Sequence, residues 1–170
     1  MREAEPAIAI PGELEQAFRA HHGLVFRTAY RITGNAADAE DVLQTVFLRL
    51  LRKPQQFEAM ENAESYLRRA AINASVDVIR TRKSTDLTEV PELSNQSSHD
   101  HGELRHALAR AIAQLKPRPA EVFALRFLEG LSNPEIAKML GISQVLVAVI
   151  VHRTRQQLRK ELRAYLGDRS

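Results

Sequence analysis

The chain has 170 residues, with 24 Lys and Arg against 21 Asp and Glu, a formal net charge of +3, and neither cysteine nor tryptophan. Its length admits one domain or two small ones, and its 44% hydrophobic content is ordinary for a globular protein. The lack of cysteine excludes a disulfide framework and a thiolate metal site, while sparse glycine and few aromatics beside abundant Ala, Leu, Arg and Glu point to an all-α fold.

The first residues, Met1-Arg2-Glu3-Ala4-Glu5-Pro6, carry acids and precede only a short apolar stretch, which is not the pattern of a signal peptide. No apolar run is long enough to span a bilayer, so a cytoplasmic location without membrane insertion is expected. Over 13–31, Leu14, Ala17, Phe18, Leu24, Val25, Ala29 and Tyr30 recur at helical spacing, with a break expected near His22-Gly23. Gly34 then ends this helix and Asn35 caps the next, over 36–52, whose stripe is Ala39, Val42, Leu43, Val46, Phe47 and Leu50. Lys53-Pro54 stops it, and a polar loop through Gln55, Gln56, Phe57 and Glu58 leads to a helix over 63–82 with Tyr66, Leu67, Ala70, Ala71, Ala74, Val78 and Ile79 along one side. Residues 84–101 lack periodicity and read as a linker without a core of its own. Helix resumes over 104–115, breaks at Pro117-Arg118-Pro119, and continues over 120–128.

The stretch that follows reads as a helix-turn-helix. Ser132 or Asn133 caps a short helix with Pro134 in its first turn, Gly141 ends it, and Ser143 caps a second helix whose far end is basic. Such an end suits phosphate. If Val147, Val151, Thr154 and Leu158 form its core stripe, then Val145, Leu146, Ala148, Val149 and Ile150 fall largely on the side that would meet base edges, where hydrogen-bonding side chains are the usual readers. Ser143, Gln144, His152 and Arg153 retain that chemistry. Three explanations of the apolar side compete: it docks on protein, it touches thymine methyls, or the helix is rotated and both sides are buried.

Charge is blocked along the chain. Residues 66–83 carry Arg68, Arg69, Arg80, Arg82 and Lys83 against Asp77 alone; 84–103 carry Asp86, Glu89, Glu92, Asp100 and Glu103 without Lys or Arg; 152–170 is basic again. Two basic blocks around an acidic connector fit two nucleic-acid-facing modules, at 12–83 and 103–167, joined by a flexible linker over 84–102.

These residues resemble the bacterial RNA polymerase sigma factors of the extracytoplasmic-function group. Ala37-Asp38-Ala39-Glu40-Asp41-Val42-Leu43-Gln44-Thr45-Val46-Phe47-Leu48-Arg49-Leu50 is similar to the family's polymerase-binding helix. Tyr66-Leu67-Arg68-Arg69-Ala70-Ala71-Ile72-Asn73, Asp77 and Val78-Ile79-Arg80-Thr81-Arg82-Lys83 are similar to its promoter-melting helix. Leu115-Lys116-Pro117-Arg118, Glu121-Val122-Phe123-Ala124-Leu125-Arg126, Leu131-Ser132-Asn133-Pro134-Glu135-Ile136-Ala137 and Gly141-Ile142-Ser143 look like its domain for the upstream, −35 promoter element. The resemblance implies a transcription initiation factor whose partners are core RNA polymerase and promoter DNA, with an anti-sigma factor as a further partner.

On this reading Asp38, Asp41, Gln44 and Arg49 make polar contacts to polymerase around Val42 and Phe47. Melted −10 strand is held by Phe57, Tyr66, Arg68, Asn73, Asp77, Arg80, Arg82 and Lys83, through stacking and cationic backbone contacts. Asn73 and Asp77 also read as a helix-internal pair. The −35 element falls to Ser143, Gln144, Leu146, Ala148, His152, Arg153 and Arg155. The family usually places threonine, lysine, arginine or small polar residues where Leu146, Ala148, Val149 and Ile150 stand here, and often tryptophan at Tyr66. Two other functions fit parts of the chain: a LuxR-type helix-turn-helix regulator, and a sigma-like adaptor that turns its apolar helix to protein. His99, His101 and His106 read as solvated rather than metal-bound, no catalytic constellation is seen, and neither enzymatic activity nor a cofactor is expected.

Overall fold

Helical periodicity with capped ends produces a bundle of helices, and the computed structural model describes residues 12–58, 60–85 and 99–167. The elements are α1 (Gly12–Thr33), α2 (Ala36–Arg52), α3 (Pro54–Glu58), α4 (Ala63–Thr85), α5 (His99–Gln114), α6 (Pro117–Phe123), a π-helical segment (Ala124–Leu128), α7 (Asn133–Leu140) and α8 (Gln144–Gly167). No strand occurs among the described residues.

Local signals explain most boundaries. Gly34 takes φ 67° and donates its N–H to the Tyr30 carbonyl at 2.8 Å, closing α1. The Asn35 side chain accepts the Asp38 N–H at 3.1 Å, starting α2. Four expectations need correction. Helix α1 runs through His22-Gly23 unbroken, because one glycine costs only about 1 kcal/mol in a helix and the buried face Leu14, Ala17, Val25, Thr28, Ala29 and Ile32 continues across it. Pro54 opens a short helix where a loop was expected, since proline is tolerated in a first turn. Helix α4 reaches Thr85, and α5 opens at His99 rather than at Leu104. Residues 86–98 lie outside the described residues, as do the side chains of Lys83, His99 and His101.

Helix α4 is buried on two sides. Leu67, Ala71 and Ala74 join Val25, Ala29, Ala39, Val42, Val46 and Phe47 in a core made with α1 and α2. Ile72, Val76 and Ile79, together with Ile32 of α1, join Ala111, Ile112, Leu115, Val122, Leu125, Ile136, Val147 and Leu158 in a second core. The modules read from the sequence as separate therefore share one of their two cores. A buried hydroxyl on α4 is satisfied within the helix: Ser75 Oγ donates to the Ala71 carbonyl at 2.6 Å.

Candidate nucleic-acid interface

The helix-turn-helix is built as its sequence specifies. Ser132 and Glu135 form a capping box: the Glu135 N–H reaches Ser132 Oγ at 3.4 Å, and the Ser132 N–H and hydroxyl both donate to Glu135 Oε2, at 2.7 and 2.8 Å. Gly141 closes α7 in the left-handed conformation at φ 64°, Ile142 N–H donates to the Ala137 carbonyl at 3.1 Å, and Ser143 Oγ accepts the Leu146 N–H at 3.1 Å to start α8. The chain bends by 110° between α7 and α8. This is the shape that lets a second helix enter a major groove.

Ser132→Ala is expected to lower stability by roughly 1 kcal/mol. The backbone N–H and hydroxyl of Ser132 hold the Glu135 carboxyl below its ordinary value of 4.5. A depressed pKa means that stabilisation is fully present above that ordinary value and is lost as pH falls through the folded one. Thermal unfolding of the parent and the Ser132→Ala variant should therefore draw closer on acidification from neutral pH without becoming equal, because the variant loses only the hydroxyl's share of the carboxylate contact and the Oγ cap on the Glu135 N–H is independent of pH.

The rotation of α8 follows the expected stripe. Val147, Thr154 and Leu158 are buried, and Ile150 and Val151 are partly buried against the same core. Val145 is 74% exposed, and Leu146, Ala148 and Val149 are exposed beside it. Burial of both sides is thus excluded for these four, and the first module does not cover them. Ser143, Gln144, His152, Arg153 and Arg155 are exposed on the same helix. Arg155 also stacks over Phe127, its guanidinium carbon 5.8 Å from the ring centroid, and a His152 ring nitrogen lies 3.2 Å from Gln156 Nε2. Changing Val145 to Thr, Leu146 to Lys and Val149 to Arg should each shift stability by no more than about 0.5 kcal/mol and reduce self-association in sedimentation. Ile150→Arg, placing charge against the core, should cost clearly more in the same unfolding assay.

On α2, Asp41, Gln44 and Arg49 are exposed. Val42 and Phe47 are not available as a contact surface, because both point into the first core and Phe47 packs edge-on against Phe18 at 4.9 Å. The apolar side chain that α2 does present is Leu48, 53% exposed, which the sequence reading passed over because it lies off the stripe. Asp38 is half-withdrawn; Arg82 Nη2 stands 2.8 Å from its Oδ2, out of line for a hydrogen bond. Burial pushes the Asp38 carboxyl above its ordinary value, Arg82 opposes this, and Asp41 adds to it.

On α4 the structure departs furthest from the expected open basic face. Tyr66, and Phe57 on the preceding α3, are partly buried against the first core. Arg68 pairs with Glu64 at 2.8 Å and approaches Glu129 at 3.5 Å, and Arg69 Nε donates to Glu121 at 2.7 Å. Arg80 donates to the carbonyls of Ala113 and Leu115, at 3.3 and 2.6 Å. Asn73 turns to Glu121 at 3.5 Å and Asp77 to Arg80 at 3.8 Å, so they do not pair with each other. Glu121 and Glu129, together with Thr28 and Arg31 on α1, are the residues that sequence reasoning missed. For the two glutamates the one signal is an acid beside a largely apolar helical stretch.

Helix α5 begins with His99 and carries an exposed His106; among the described residues no group of three or more His, Asp or Glu could hold a metal ion. No single described helix is long and apolar enough to cross a membrane.

Two families match the chain in order: Sigma-70 region 2 over residues 17–85 and Sigma-70 region 4 over residues 105–158. The RNA polymerase sigma-E factor of Streptomyces coelicolor is 34% identical over 155 residues, covering 88% of this chain and 86% of that protein. The ECF RNA polymerase sigma factor SigE of Mycolicibacterium smegmatis is 34% identical over 164 residues, and the chain spans 63% of its length while 91% of the chain is covered. Among solved structures, the sigma factor RpoE of Bartonella quintana, crystallised with the anti-sigma factor NepR, superposes with a TM-score of 0.53 at 18% identity, covering 90% of this chain and 98% of that one; it supports the fold.

Proposed function

The chain belongs to the extracytoplasmic-function group of the sigma-70 family and is a transcription initiation factor that directs RNA polymerase to promoters; we propose the following division of labour within it. The first module, 12–83, binds core polymerase through Asp38, Asp41, Gln44 and Arg49, with Leu48 as the apolar member in place of Val42 and Phe47. It receives melted −10 strand through Phe57 of α3 and, on α4, Tyr66, Arg68, Asn73, Asp77, Arg80, Arg82 and Lys83. The second module, 103–167, docks at the −35 element, and 84–102 connects the two.

The observation that carries this reading is the capped helix-turn-helix with its 110° bend, whose second helix leaves Ser143, Gln144, His152, Arg153 and Arg155 exposed. Leu146 and Ala148 on the same side offer methyl contacts and no hydrogen bonds, so upstream recognition leans on phosphate contacts and DNA shape. The match over residues 17–85 covers the module that a LuxR-type regulator leaves unexplained, and that reading is set aside. The chain acts by binding, without catalysis of its own, in the cytoplasm where polymerase and promoters lie. An anti-sigma factor is part of the proposal, since the structurally similar Bartonella quintana sigma factor was crystallised with one.

Purified protein mixed with core polymerase should co-elute with it and yield transcripts from a subset of genomic fragments carrying matched upstream and downstream elements. Co-elution without promoter-dependent transcripts would sink the initiation reading in favour of an adaptor.

A further inference from the structure

We propose that Glu121 and Glu129 form a carboxylate latch that holds the chain closed, with the second module occupying the arginines that the first module presents to DNA. The inference rests on the reading of α4 as a DNA-facing helix. Both carboxylates are nearly withdrawn from solvent, with side-chain exposures of 6% for Glu121 and 2% for Glu129. A buried carboxylate is tolerated only where donors surround it. Here the donors come largely from the other module. Glu129 accepts from Thr28 Oγ1 at 3.2 Å and Arg31 Nη1 at 3.1 Å, with Arg68 Nε at 3.5 Å; Glu121 accepts from Arg69 Nε at 2.7 Å and Asn73 Nδ2 at 3.5 Å, with Arg118 of its own helix at 3.5 Å.

Arg80 completes the closure through the Ala113 and Leu115 carbonyls, at the end of α5 where helical carbonyls lack partners within the helix. Arg68, Arg69, Asn73 and Arg80 cannot be given to a DNA strand while they hold these groups. The apolar seam beneath, where Ile72, Val76 and Ile79 meet Ile112 and Leu115, gives closure its strength. The carboxylates make it conditional on charge. An open cleft of about 320 Å³, lined by Arg69, Asn73, Asp77, Arg80, Arg118 and Glu121, brings solvent to the Arg69–Glu121 pair. The carboxylate takes only one bond from Arg69, through Nε at 2.7 Å; a phosphate entering there can engage the guanidinium through two parallel donors, and displaces the carboxylate. Strand capture and opening are then one linked equilibrium: whatever holds Glu121 and Glu129 in place weakens DNA binding, and DNA weakens the latch by the same factor.

The absence of cysteine allows specific spin labelling at Glu40→Cys and Gln156→Cys, one exposed site in each module. Pulsed dipolar measurement on the labelled parent should give one narrow distance distribution. Glu121→Gln with Glu129→Gln should broaden and lengthen it. The same double variant should bind a fluorescent mixed-sequence single-stranded DNA about tenfold more tightly than the parent at low salt. An unchanged distribution, or opening with no gain in DNA binding, overturns the latch. Should the double variant fail to fold, the labelled parent saturated with the same DNA decides: lengthening supports the latch, and an unchanged distribution overturns it. Opening and tighter single-strand binding without promoter-dependent transcripts from core polymerase would uphold the latch and overturn the initiation-factor reading instead.

Discussion

Replacing Ile72 by alanine is expected to cost about 2–5 kcal/mol and to loosen both modules at once. Ile72 is fully buried, on the side of α4 that completes the core of α5 to α8. Its truncation leaves a cavity in the shared core rather than inside one module. Leu67 is as deeply buried on the same helix but faces α1 and α2, so Leu67→Ala should cost a similar amount with a different distribution. Native-state hydrogen exchange separates them: Ile72→Ala should lower protection in α5 and α6 as well as in α4, and Leu67→Ala chiefly in α1, α2 and α4. Equal patterns for the two variants would show that the chain opens only as a whole.

Joint replacement of Arg80, Arg82 and Lys83 by alanine should produce the largest loss of promoter binding. Each phosphate contact removed lowers the slope of log affinity against log salt by roughly one unit, so the triple variant should lose about two to three units. The free protein uses two of these side chains elsewhere, Arg80 on the carbonyls ending α5 and Arg82 beside Asp38. The variant therefore also gives up internal contacts, and its folding must be checked by circular dichroism before its slope is read. An unchanged slope in a folded variant would assign Arg80 and Arg82 a purely internal role.

Features set by neighbours in sequence were legible in advance. Asn35, Ser132 and Gly141 each act within four residues, and the cap, capping box and left-handed turn form as their residue types require. The stripe Val147, Thr154, Leu158 likewise fixed which side of α8 faces inward. Periodicity was less reliable on α2 and α4. It marked Val42 and Phe47 as apolar without deciding between core and interface, and it treated α4 as one-sided although Leu67 and Ile72 enter different cores. Glu121 and Glu129 drew no separate reading, and Arg68 and Arg69 read as part of a nucleic-acid-facing basic block, because nothing local distinguishes an ion pair between distant segments from an open charged face. Only packing of α6 and the π segment beside α1 and α4 brings those charges together.

The π segment at Ala124–Leu128 sets an angular phase. Glu129 N–H donates to the Ala124 carbonyl and Leu131 N–H to the Leu125 carbonyl, at 2.9 and 3.0 Å, so the last turn before Gly130 holds one residue more than an α-turn would. An α-helix advances about 100° per residue. Were the same residues wound as ordinary α-helix, Leu128 rather than Glu129 would donate to the Ala124 carbonyl, and the glutamate would be carried about 100° further round, away from Thr28, Arg31 and Arg68. The coupling between the two halves is thus set by how a single turn is wound: the extra residue it absorbs keeps the glutamate in phase with its partners on α1 and α4, and the same side chains on a regular α-turn would miss them.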